Sequence, residues 1–254
     1  MNILEKIVEE QKNKFKYLEQ KYKIKKKIKI KSKFIRNIED NNLNKKTSII
    51  AEFKRYSPSI KEFKKIKHIG EIINQYELSN VTCISILTDK NFGGSLNDIK
   101  IAKQFTNKPI IRKDFILDKI QIYESALYGA DAILLIVRIL TENKLLQLEK
   151  YAHSLGLDVL IEIESKKDLS KIKNTKTKLI GINNRNLALQ KIDITKTIKL
   201  SSEIKERIIV SESGLTIKNI NIIKENNINT FLIGGSILNN MNIKKYIGDI
   251  TKQS

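Results

Sequence analysis

Beyond residue 46 the apolar positions fall into one pattern that recurs eight times: a short run rich in β-branched residues, a polar or charged cluster, then a longer stretch with helical periodicity. The short runs are Ser48–Phe53, Cys83–Leu87, Ile110–Arg112, Ala132–Val137, Val159–Ile163, Leu179–Ile182, Ile208–Val210 and Thr230–Ile233. The helical stretches are His68–Asn80, Leu96–Phe105, Asp118–Tyr128, Glu142–Leu155, Lys166–Ile172, Ile194–Ile204, Ile217–Asn226 and Asn239–Ile250. Strands that alternate with helices predict a parallel sheet, and eight is the number that closes. The expected fold is therefore α/β, a single (β/α)8 TIM barrel. An open doubly wound sheet is the alternative, but the glycine-rich turn it needs after the first strand is absent. Thr141 and Thr216 are placed to cap helix starts, and Gly129 and Gly156 to end helices in the left-handed conformation.

The residues before the first strand carry Ile3, Leu4 and Ile7, then Phe15, Leu18 and Tyr22, and read as one or two helices. Their apolar spacing predicts packing against the barrel, across one of its mouths, in place of a basic solvated tail. The expected division is an N-terminal helical extension over 1–46 and a catalytic barrel over 47–254.

Composition changes this picture little. The net charge of +20 would ordinarily point to nucleic acid or an acidic membrane. Yet the densest lysine run, KIKKKIKIKSK, has no interleaved aromatic platform, and lysine is spread over nearly every segment beside abundant Ile and Asn, as in a chain-wide compositional bias. Neither nucleic acid nor membrane is expected as a partner. No apolar run approaches the roughly 20 residues of a membrane helix, and the start is amphipathic with mixed charge, so a cytoplasmic location is expected. A monomer is expected as well. Cys83 lies in an apolar strand and reads as a packed thiol. His68 and His153 stand near no cluster with metal-ligand spacing, and no metal is expected.

In a parallel barrel the chemistry collects where the carboxyl ends of the strands converge. Here those ends supply Glu52 and Lys54, Asp89, Lys113 and Asp114, Arg138, Glu162, Asn183 and Arg185, Glu212 and Ser213, and finally Gly234, Gly235 and Ser236. Glu52 and Lys54 are two apart on a strand, so both point into the mouth. The clusters SESG at 211–214 and IGGS at 233–236 follow strands 7 and 8, where barrels often bind phosphate through backbone N–H groups and a helix N-terminus. A phosphorylated substrate is inferred.

AEFKRYSPS at 51–59, ISILTD followed by FGGS at 84–95, RKDF at 112–115, GADAILLIVRIL at 129–140, LIEIES at 160–165, GINNRNL at 181–187, SESG at 211–214 and FLIGGS at 231–236 together resemble the indole-3-glycerol phosphate synthase family over about residues 47–240. The resemblance implies conversion of 1-(2-carboxyphenylamino)-1-deoxyribulose 5-phosphate to indole-3-glycerol phosphate by ring closure, decarboxylation and dehydration, with no cofactor. By motif match it makes Lys113 the general acid on the ribulose carbonyl, its pKa lowered by burial among basic neighbours. Glu162 then serves the later proton transfers, and Glu52 and Lys54 form the neighbouring charged pair. Asn183 and Glu212 bind substrate hydroxyls and orient the lysines, with Arg185 fixing that network. Phe92 and Phe115 flank the anthranilate ring. Ser57 contacts the substrate carboxylate or the loop backbone. The phosphate rests on Gly214, Gly234 and Gly235, with Ser213 and Ser236 nearby and Arg55 or Lys54 as counter-charge. Two departures from the family pattern are Tyr56 and the stretch Ile60, Lys61, Glu62 after SPS, which put the flexibility of that loop in question. A related phosphate-binding barrel, phosphoribosylanthranilate isomerase, would need a Cys/Asp pair at strand ends, which the sequence does not offer.

Overall fold

The computed structural model describes residues 3–22, 28–56, 68–186 and 191–252. Eight parallel strands, β1 (Ser48–Phe53), β2 (Cys83–Leu87), β3 (Ile110–Lys113), β4 (Ala132–Ile136), β5 (Asp158–Ile163), β6 (Leu179–Asn183), β7 (Ile208–Glu212) and β8 (Thr230–Ile233), close in sequence order, with β8 paired back onto β1. The extension carries α1 (Ile3–Lys12), α2 (Phe15–Tyr22) and α3 (Phe34–Leu43). Around the barrel run α4 (Ile69–Glu77), α5 (Asn97–Ala102), α6 (Lys119–Leu127), α7 (Glu142–Ser154), α8 (Leu169–Ile172), α9 (Thr195–Ser201), α10 (Ile220–Lys224), α11 (Gly235–Leu238) and α12 (Ile243–Lys252).

Alternation along each strand sorts the core. One set of side chains, Ile50, Cys83, Ile111, Leu134, Leu160, Leu179, Val210 and Leu232, fills the lower barrel interior. The opposite set, such as Ile84, Ile133, Ile161 and Ile180, packs outward against the helices. Cys83 belongs to the interior set, fully buried, with its thiol directed at the Phe34 carbonyl.

Several predicted boundaries shift. β3, β6 and β7 run on to include Lys113, Asn183 and Glu212, which the sequence reading placed just beyond the strands. Ladder pairing, such as Asn183 with Glu212, carries the extended backbone past the last apolar residue. Thr216 does not cap a helix; its N–H is bound by the Asn219 side chain at 2.8 Å, and α10 begins at Ile220. The short α11 was not foreseen, and the last helix starts at Ile243 instead of Asn239. Thr141 does cap α7, and Gly129 and Gly156 take positive φ of 90° and 77°.

The extension forms three helices among the described residues, not one or two. It runs from one mouth to the other. α1 lies at the carboxyl ends of the strands. α2 packs on the barrel flank, where Leu18 joins the α6–α7 core and Tyr22 donates to Glu124 at 2.9 Å. α3 closes the lower mouth with Phe34 and Ile38, and the Asp158 carboxylate at the foot of β5 accepts from Ser32 Oγ and from the Ile35 N–H in the first turn of α3.

Candidate active site at the upper mouth

The inward alternation that builds the core continues to the strand ends, where it delivers charge. Glu52 from β1, Lys113 from β3, Glu162 from β5, Asn183 from β6 and Glu212 from β7 line one cavity of about 540 Å³, together with Lys54 just past β1. Lys113 Nζ stands 2.6 Å from Glu212 Oε2 and 3.3 Å from Glu162 Oε2. Glu162 Oε1 accepts from Asn183 Nδ2 at 3.0 Å, and Lys54 Nζ lies 2.5 Å from Glu52 Oε1. Three carboxylates thus face two ammonium groups in a largely buried space.

The electrostatics reverse one expectation. Burial alone would lower the Lys113 pKa, but Glu212, Glu162 and Glu52 together outweigh it and raise the ammonium above the ordinary lysine range. The sequence leads one to expect basic neighbours, whereas the fold surrounds Lys113 with acids. Burial pushes the Glu212 carboxyl up to about 7, helped by Glu162 and Glu52 and opposed by Lys113. Glu52 goes the other way: burial would raise it, but Lys54 and Lys113 hold it below the usual carboxylate range.

One end of the cavity is apolar. Phe92 and Phe115 are stacked with centroids 6.5 Å apart, beside Leu87, Leu134 and Ile136, while Leu4 and Ile7 of α1 form the cover. The sequence predicts that the extension crosses one of the mouths; the structure makes α1 the segment that does so, over this cavity. Gln11, fully missed, anchors that cover: its amide donates to Asp89 at 2.9 Å and to Asp114 at 3.3 Å and accepts from Gln121. Glu10 adds an ion pair to Lys90 at 3.0 Å.

The other end consists of turns. Ser213 and Gly214 both have positive φ, 68° and 73°, and side-chain amides of Asn184 and Asn219 hold their carbonyls at 3.3 and 2.8 Å. Gly234, Gly235 and Ser236 line the same end, and Ser236 Oγ donates to the Leu215 carbonyl at 2.8 Å. A Cβ on Gly235 would meet nothing within 4 Å, so open space faces that backbone. Arg185 lines the cavity beside Asn183, whose Oδ1 accepts the Arg185 N–H.

Arg55 is a correction. Its guanidinium grips Asp98 at 2.6 and 2.8 Å and the Gly93 carbonyl at 2.8 Å, and it does not line the cavity. One residue beyond Lys54, it turns to the opposite side. Arg138 similarly pairs with Glu164 at 2.7 Å outside the cavity. Ser57 and Leu187 lie outside the described residues. Among the described residues no group of three or more His, Cys, Asp or Glu is arranged to hold a metal ion.

The family model for indole-3-glycerol phosphate synthase matches residues 4–250. An indole-3-glycerol phosphate synthase of Clostridium kluyveri is 40% identical over 223 residues, covering 85% of each chain. One from Neisseria meningitidis is 35% identical over 219 residues, 85% of this chain and 84% of that one. One from Bacteroides thetaiotaomicron is 45% identical over 172 residues, 67% of this chain and 66% of that one. Among solved structures, tryptophan synthase subunit alpha from Legionella pneumophila superposes with a TM-score of 0.64 at 11% identity, over 87% of this chain and 97% of that one. 3-Hexulose-6-phosphate synthase from Salmonella typhimurium gives a TM-score of 0.66 at 11% identity, over 81% and 97%. These two likenesses bear on the barrel alone.

Proposed function

The chain belongs to the indole-3-glycerol phosphate synthase family and is a carboxy-lyase of tryptophan biosynthesis, and from that premise we propose how its upper mouth divides the work. The carrying observation is Lys113, clamped by Glu212 and Glu162 between an apolar end and a glycine-lined end of one cavity.

The anthranilate ring lies against Phe92 and Phe115 beneath Leu4 and Ile7, and the phosphate on the Ser213, Gly214, Gly234, Gly235 and Ser236 turns, with Lys54 as counter-charge now that Arg55 is engaged elsewhere. Lys113, kept protonated by its acidic neighbours, gives its proton to the ribulose carbonyl oxygen as the ring carbon bearing the carboxylate attacks that carbonyl carbon. Carbon dioxide then departs, and its bonding electrons restore the ring. Glu162, oriented by Asn183, manages the proton transfers that release the former carbonyl oxygen as water and yield the indole. Glu52 holds Lys54, Glu212 holds Lys113, and Arg185 supports Asn183. Ser57, outside the described residues, keeps a substrate contact by motif match alone. The isomerase alternative fails on position: Cys83 is buried at the lower end of the barrel against Phe34.

We read the chain as a barrel over 47–254 with the 1–46 extension packed on it, working as a cytoplasmic monomer without nucleic-acid or membrane partners. No helix among the described residues is long and apolar enough to cross a membrane. The chain has no tryptophan, so indole fluorescence that grows with the substrate comes from product. Wild type is expected to produce it and Lys113→Ala to be slower by about a thousandfold, within the range of lost acid–base catalysis. A folded wild type that stays dark sinks the assignment of chemistry to this site.

A further inference from the structure

Two inward glycines stand opposite the carboxylates that hold the lysines. A Cβ built on Gly234 would lie 2.6 Å from Glu52 Oε1, and one on Gly181 would overlap Glu212 Oε1 and stand 3.2 Å from its Cδ. Gly234 already belongs to the glycine-lined end of the cavity; Gly181 has no role so far. It sits on β6, in register with Glu162 on β5 and with Val210 on β7, and shares the inward face with Leu179 and Asn183. At this level the barrel wall therefore has a notch, and the carboxylate of Glu212 leans across from β7 into it.

Glu212 Oε2 receives Lys113 Nζ at 2.6 Å, while Oε1 is buried and has no hydrogen-bond partner among the described residues. What Oε1 meets is the bare backbone of Gly181, so the shape of the notch sets the tilt of the carboxylate. We propose that Gly181 is a positioning residue for the reaction: its missing side chain seats Glu212, which in turn places the Lys113 ammonium against the substrate. The inference rests on the site reading above. A methyl group at 181 would lift Glu212 toward the cavity and carry Lys113 with it. Displacement of a reacting group by about 1 Å can cost on the order of a hundredfold in rate.

The test compares Gly181→Ala with wild type and repeats the comparison in a Glu212→Asp background, whose carboxylate ends one methylene short of the notch. Indole production should fall about a hundredfold in kcat with KM changed less than about threefold, and the acid limb of the pH profile should move. The same alanine should cost little in the Glu212→Asp background. A folded Gly181→Ala with wild-type kcat and pH profile, or the same loss in both backgrounds, overturns the proposal. If Gly181→Ala does not fold, thermal unfolding decides: Gly181→Ala/Glu212→Ala as stable as Glu212→Ala supports the clash, and a double variant that still fails to fold refutes it. This stability comparison needs no turnover, so a wild type without activity would sink the site reading while leaving the packing claim separately tested.

Discussion

At the lower mouth, α3 presses Phe34 and Ile38, neither with any exposed surface, into the feet of the strands. At the upper mouth, α1 sets Leu4 and Ile7 over a cavity of about 540 Å³ and is secured at its far end by the Gln11 side chain, which bonds Asp89, Asp114 and Gln121. The same extension closes one end by filling it and the other by spanning it. Close packing rewards every buried methyl group, so the lower mouth is built for stability. A cavity that must admit a substrate forgoes that packing, and its cover is held from the side by polar contacts that leave the centre open.

The comparison breaks most visibly at the lower mouth. Phe34→Ala should cost about 3–5 kcal/mol of stability, read as a lower denaturant midpoint, while kcat and KM of the remaining folded protein stay near wild type. A matching loss of turnover would mean that the lower plug also shapes the site. Leu4→Ala should do the reverse: KM rises by about tenfold, the loss of roughly 1.4 kcal/mol of apolar contact with substrate, with a small change in melting temperature because Leu4 is only half-buried. Unchanged KM would remove α1 from the substrate's surroundings.

The smallest effect is in pH, and it sharpens the contrast because the upper mouth holds a buried carboxyl raised toward neutrality. Glu212, pushed up to about 7 by burial, holds its proton more tightly folded than unfolded. Its contribution to stability is present below the unfolded carboxyl value and is lost as pH rises through about 7. Glu52, held low, contributes with the opposite sign and loses its contribution as pH falls through its depressed value. Melting of wild type relative to Glu212→Gln should therefore drop by a few degrees between about pH 5 and 8. The two curves running parallel would place the raised group elsewhere.

Much of the upper mouth was legible in the chain. The two-residue spacing of Glu52 and Lys54 already put both on one face, and Lys113, Glu162, Asn183, Arg185 and Glu212 gather at the mouth as barrel geometry requires, whereas Asp89 and Arg138, also at strand ends, bond Gln11 and Glu164 away from the cavity. Lys113, Asn183 and Glu212 were assigned beyond their strands because the apolar run stops before them, although the ladder does not. Gln11 offered no signal at all: a lone glutamine on a charged helix becomes a latch only when strand ends far along the chain bring Asp89 and Asp114 to it.

By itself, then, the sequence determined what is periodic and local: which runs are strands, which faces are apolar, that Cys83 is packed, that Gly129 and Gly156 end helices, and which charged residues stand at strand ends. Tertiary structure alone decided what depends on neighbours distant in the chain. It placed acids, not bases, around Lys113, turned Arg55 toward Asp98, laid α1 over one mouth and drove α3 into the other, and left over Gly181 the space that Glu212 occupies. The physical reason is that periodicity fixes the face a side chain takes on its own element, whereas its charge state and partner depend on every element that converges there.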